Sequence, residues 1–151
     1  MRKIKYLALL LLLLLTALVW SANTRDNQVA MLWWKLTSVL GNAKSQNNLA
    51  FLYFDGKDVA QNYAEAVRLW EQAAEQGNAR AQVNLGAMYA RGLGVTQDYT
   101  KAYMWYSLPP AQEKGDSITL RDLVTARMTP QQIEKAQEMA KACQARNFKG
   151  C

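Results

Sequence analysis

Few residues in this chain could perform covalent or acid–base chemistry. Its 151 residues include no histidine. That removes Ser-His-Asp and Cys-His nucleophile activation, His-containing zinc sites and the side chain best suited to proton transfer near neutral pH. No serine stands three residues before a lysine, so a Ser-x-x-Lys nucleophile is missing too. Glu71 and Glu75, and again Glu134 and Glu138, lie one helical turn apart. That spacing on a polar stretch reads as a solvated helix face rather than as a paired acid and base. Cys143 and Cys151 are the two cysteines, too few for a structural zinc site and too far apart for a two-residue redox pair. In an exported chain they favour a disulfide, closing a loop worth about 2.5 kcal/mol in the chain-entropy model. The sequence therefore assigns no catalytic residue, no metal ligand and no cofactor.

What the remaining side chains can do depends on an internal repeat. Residues 41–76 overlay residues 77–112 without a gap, with 13 of 36 positions identical. A period in this range marks a solenoid whose units bury their apolar faces against one another. The positions that define it are Asn48/Asn84, Leu49/Leu85, Tyr53/Tyr89, Gly56/Gly92, Tyr63/Tyr99 and Ala66/Ala102, joined by Trp70, Gly77, Gly86 and Gly94. Each unit reads as two helices. Leu49, Leu52 and Tyr53 mark the apolar stripe of one first helix, and Leu85, Met88 and Tyr89 that of the next. Tyr63, Ala66, Val67, Trp70 and Ala73 mark a second helix. Gly56 and Gly92 should turn the chain at positive φ, with Asn62 and Asp98 capping the helices that follow.

Followed outward, the period divides the chain into a half repeat over 27–40, repeats over 41–76 and 77–114, and a degenerate repeat with a capping helix over 115–151. Pro109-Pro110 should end the second unit early. A helix is expected over about residues 117–127. Thr129-Pro130-Gln131-Gln132 then supplies a capping box for a last helix carrying Ile133, Ala136, Met139, Ala140 and Cys143.

The N-terminus has a different character. Arg2, Lys3 and Lys5 precede an apolar run over residues 6–20 containing seven consecutive leucines. Residues 1–22 thus read as a signal peptide or an N-terminal membrane anchor, the run being shorter than the roughly 20 residues that span a bilayer. The rest of the chain would be exported. Of the net charge of +6, these three cations leave +3 on the body. Without a concentrated basic face, no nucleic-acid partner is expected.

At this point the residues carry a resemblance. Asn84-Leu85-Gly86-Ala87-Met88-Tyr89, Gly92-Leu93-Gly94-Val95, Gln97-Asp98-Tyr99, Ala102 and Trp105-Tyr106 resemble the consensus of the Sel1-like repeat family, relatives of tetratricopeptide repeats. The ending from Met128 to Cys151 is similar to that of many small exported bacterial members. The resemblance implies an all-α, right-handed α/α solenoid of antiparallel helix pairs. It also implies a non-enzymatic adaptor or scaffold in the bacterial cell envelope, binding protein or peptide. The chain departs from the pattern at Asp58, where a second loop glycine is expected, and at Pro109-Pro110, where an alanine pair is usual.

The expected partner is another envelope protein or an extended peptide, held in the groove lined by the first helix of each unit. A monomer is expected, with an inner-membrane tether as an option. Two rival readings are an envelope hydrolase of the β-lactam-binding type and a membrane-tethered accessory subunit. Aromatics that break the repeat are the candidate contacts. Phe51 and Phe54 stand where the next unit has Ala87 and Ala90, and Trp33 replaces Leu69. Each has two readings, as packing against the incomplete first unit or as a binding surface.

Overall fold

Caps and turns set where each helix of this chain begins and ends. The computed structural model describes residues 27–110 and 115–151; the segment 1–22 lies outside them. Seven helices run through the described residues: α1 Asn27–Val39, α2 Ala43–Asp55, α3 Tyr63–Ala74, α4 Ala79–Arg91, α5 Tyr99–Ser107, α6 Gly115–Thr125 and α7 Pro130–Ala145. They form an all-α helical repeat solenoid, with no strand among the described residues.

The caps repeat with the period. Asn42 and Asn78 accept from the amides of Ser45 and Ala81 at 2.9 and 3.0 Å. Asn62 and Asp98 do the same for Glu65 and Lys101, each at 3.0 Å. Every one of these bonds satisfies an amide that a helix start would otherwise leave orphaned. Gly56 and Gly92 close α2 and α4 with φ of 71° and 67°. The loop glutamines Gln61 and Gln97 then donate to the last-turn carbonyls of Phe54 and Ala90 at 2.9 and 2.8 Å. Thr129 and Gln132 form the reciprocal capping box of α7.

Each helix from α1 to α5 packs on the next, and α6 and α7 both pack on α5. The small residues Ala66, Ala73 and Ala102 are fully buried, letting neighbouring helices approach. Units are also pinned through polar contacts. Gln46 Nε2 donates to the carbonyl of Ser38 at 3.2 Å, and Gln82 Nε2 to that of Ala74 at 3.3 Å. Donors and acceptors are both one period apart, so the same bond closes the C-terminal end of each second helix against the next first helix.

The C-terminal end reaches back across the stack. Cys143 and Cys151 are disulfide-bonded, with Cα atoms 5.4 Å apart. Between them Asn147 and Phe148 adopt φ of 49° and 65°. This lays the Phe148 ring beside Gly77 and brings the Gly150 amide to Glu75 Oε1 at 3.0 Å. The tail is thereby fastened to the end of α3 as well as to α7.

The two central loops differ where the sequence departs from its repeat. Gly94 has φ 70°, and a Cβ there would lie 2.5 Å from the Tyr63 carbonyl carbon. Asp58 occupies the matching position of the first unit without a positive φ and is exposed. Gly94→Ala therefore combines left-handed strain with a backbone clash, and should cost about 3 kcal/mol. Gly41→Ala, at φ 83° with nothing within 4 Å, should cost about 1 kcal/mol. Urea denaturation measures both; equal losses would mean that the Gly94 contact contributes nothing.

Burial also sets a pH dependence. Tyr106 is 3% exposed and lies against Gly86, and its burial pushes the hydroxyl up from 10.0 to about 12. A raised folded pKa means that the unfolded chain loses this proton first. The stability held by neutral Tyr106 is complete below pH 10 and is lost as pH rises towards 12. Thermal melts across that window should fall more steeply for wild type than for Tyr106→Phe; parallel slopes would contradict this.

A concave groove as the candidate functional site

The middle of α2 and the first turns of α4, the first helices of successive units, line a groove of about 730 Å³. From α2 it takes Asn47, Asn48, Phe51 and Leu52, and from α4 Ala79, Arg80, Val83 and Asn84. Trp34 of α1 closes one end, and Asp116 and Ser117 of α6 close the other. The lining is mixed apolar and amide, with one cation and one anion.

Three asparagines organise its floor. Trp70 is 2% exposed, and its indole N–H, which can only donate, meets Asn47 Oδ1 at 3.2 Å. That contact fixes which way the Asn47 amide points. Its Nδ2 is then turned to Asn48 Oδ1 at 3.4 Å, while Oδ1 also accepts from Asn84 Nδ2 at 3.4 Å. Asn48 and Asn84 are the same repeat position in consecutive units. The relay leaves the Asn48 NH₂ as a donor and Asn84 Oδ1 as an acceptor beside the groove.

The sequence-based candidates separate. Phe51 lines the groove and is 53% exposed. Phe54 turns inward, with ring centroids 5.6 Å from Tyr63 and 5.7 Å from Trp70. Their own centroids are 6.2 Å apart, so Phe54 backs Phe51. Trp33 is 63% exposed but does not line the groove. Asn47, Trp34 and Arg80 were missed as site residues. Asn47 breaks the repeat, standing where the next unit has Val83, and that polar exception was the available signal.

The carboxylate pairs also part company. Glu134 and Glu138 are exposed as the spacing suggested, but Glu71 and Glu75 are half-buried. They line a second cavity of about 290 Å³ under the C-terminal tail. Burial raises the Glu71 carboxyl above the usual range, opposed by the Tyr89 hydroxyl 3.5 Å away and by Lys101. No cluster of three His, Cys, Asp or Glu able to hold a metal occurs among the described residues.

Comparison with known proteins agrees with this architecture. The Sel1 repeat model matches residues 43–78 and 79–108. No curated protein matches the chain in sequence. Among solved structures, a protective antigen present in uropathogenic Escherichia coli strains and displaying an SLR fold superposes with a TM-score of 0.70 at 26% identity. The match covers 79% of this chain and 26% of that one. A Sel1 repeat protein from Oxalobacter formigenes gives a TM-score of 0.53 at 24% identity, over 80% of this chain and 57% of its own; that likeness concerns fold alone. This chain thus spans less than two thirds of the length of each. Sel1 repeats generally mediate protein–protein interaction and are typically non-enzymatic. Two Sel1 repeats thus occupy residues 43–78 and 79–108 of this chain, within a helical stack of the same kind as in those structures.

Proposed function

We propose that this protein is a small interaction module of the bacterial cell envelope that holds an extended peptide segment of another envelope protein in the concave groove. The observation that carries the reading is the pair of amides, Asn48 and Asn84, placed one period apart and oriented through Asn47 by the buried Trp70 N–H. An extended backbone presents N–H and C=O groups along its length, and side-chain amides can both donate to and accept from it. Phe51 offers a rigid apolar surface beside them, backed by Phe54, which suits it to anchor one side chain of the bound segment. The near-balanced charge of the lining favours a neutral segment over a strongly acidic or basic one.

Two features support export. The basic-then-apolar order of residues 1–20 is that of a secretory signal or anchor. The disulfide Cys143–Cys151 belongs to an oxidising compartment such as the periplasm. Among the described residues, no helix is long and apolar enough to cross a membrane. The lining of the groove comes from one chain, which supports the reading of a module that works as a monomer.

A phage-displayed library of linear peptides, selected on wild-type protein, tests the reading. Selected peptides should bind Asn48→Ala/Asn84→Ala about 10- to 30-fold more weakly, from the loss of two hydrogen bonds of about 1 kcal/mol each. Phe51→Ala should weaken them further with little change in stability, because that ring is half in solvent. Failure to select any peptide, or undiminished binding to both variants, would overturn the assignment.

A further inference from the structure

The repeat supplies its own control for what a second helix should show to water. On α3, Arg68 and Gln72 face solvent. One period earlier, α1 places Leu32 and Leu36 at those positions, 62% and 59% exposed. Trp33, Val39 and Leu40 extend the face, at 63%, 85% and 78%. Helical spacing sets Leu32, Trp33, Leu36 and Val39 on one side of α1, with Leu40 in the turn just after it, opposite Met31 and Trp34, which pack against the core. The helix has no acidic residue, and Lys35 is its one cation.

A further repeat unit stacked in front would not account for this face. The counterpart of Trp33 is Leu69, 2% exposed, so a preceding unit would cover Trp33. The counterparts of Leu32 and Leu36 stay in solvent within a complete unit, so stacking would leave both leucines wet. A contiguous apolar surface of this kind marks a contact with something else. What precedes α1 indicates which. Residues 6–20 are an apolar run without a charge, following Arg2, Lys3 and Lys5, and six residues, 21–26, separate the run from α1. Six residues reach at most about 20 Å. A run that partitions into lipid would therefore hold α1 at the headgroup layer. A tryptophan- and leucine-bearing face without acids is suited to lie there.

We propose that the outer face of α1 lies on the surface of the lipid bilayer into which residues 6–20 insert, with Leu32, Trp33 and Leu36 in the interfacial layer. Trp34, on the other side of the helix, still closes the groove, so docking leaves the groove open. The proposal is independent of what the groove binds.

Single cysteines at Leu36→Cys and at its repeat counterpart Arg68→Cys, introduced into the full chain with the native disulfide formed, would carry a nitroxide label. Both positions are exposed, and circular dichroism with thermal melts checks that each variant folds. The labelled chains are then mixed with vesicles of phosphatidylethanolamine and phosphatidylglycerol. Relaxation by oxygen, which concentrates in lipid, should exceed relaxation by a water-soluble nickel chelate at position 36. The order should be reversed at position 68. A label at 36 as open to nickel as the one at 68 would overturn the proposal. So would a label at 36 shielded from both reagents, which would mean a protein cover: a second copy, or residues 6–20 folded onto α1.

Discussion

One hydrogen bond joins the core of this protein to its groove: the Trp70 indole N–H donating to Asn47 Oδ1. Trp70 is among the largest fully buried side chains, and burying so large a ring is a leading contribution to the stack. Its N–H must find a partner inside, because an unsatisfied buried donor costs about 1–3 kcal/mol. The partner lies on the neighbouring helix, so packing α3 on α2 also sets the orientation of an amide that reaches the groove. Asn84 of the next unit meets the same oxygen. The spacing of two units on the concave face is thus tied to a contact made in the core.

The same economy recurs at the other joints. Gln46 and Gln82 close the carbonyl ends of the preceding second helices, and Gln61 and Gln97 close the ends of the first helices. The first pair of bonds sets how a first helix sits on the preceding second helix, and the second pair holds each loop to the first helix of its own unit. At the C-terminal side the stack ends in α7 and a disulfide-closed tail that returns to α3 through Phe148 and Gly150. At the N-terminal side of the described residues stands α1, whose outer positions are apolar where those of α3 are polar. The two sides of the described stack thus differ, one closed covalently and the other presenting an apolar face.

The helices and their order were legible because the period carries them. Caps at Asn62 and Asp98, turns at Gly56 and Gly92, and the Thr129–Gln132 box are local signals, and each appears where its residue type dictates. The start of α6 at Gly115 rather than near Ser117 is a shift of two residues at a helix terminus. The groove was legible in outline, as the face of the first helices, but not in its members. Phe51 and Phe54 are three residues apart and share a broad face, yet one meets solvent and the other Tyr63 and Trp70. That division depends on where α3 crosses α2, which spacing along a single helix does not encode. Asn47 was overlooked for the same reason, since its role exists only through Trp70, 23 residues away. Glu71 and Glu75 read as solvated because nothing local shows that the tail will cover them.

The central claim is that a partner enters along the row of amides that Trp70 sets in register. Nitrogen–proton correlation spectra of the uniformly labelled protein, recorded while a selected peptide is added, test it most directly. The account predicts that the side-chain amide signals of Asn48 and Asn84 shift, while the Trp70 indole signal stays in place, shielded in the core. Shifts confined instead to the opposite face, around Arg68 and Gln72, with the asparagine amides unmoved, would contradict it.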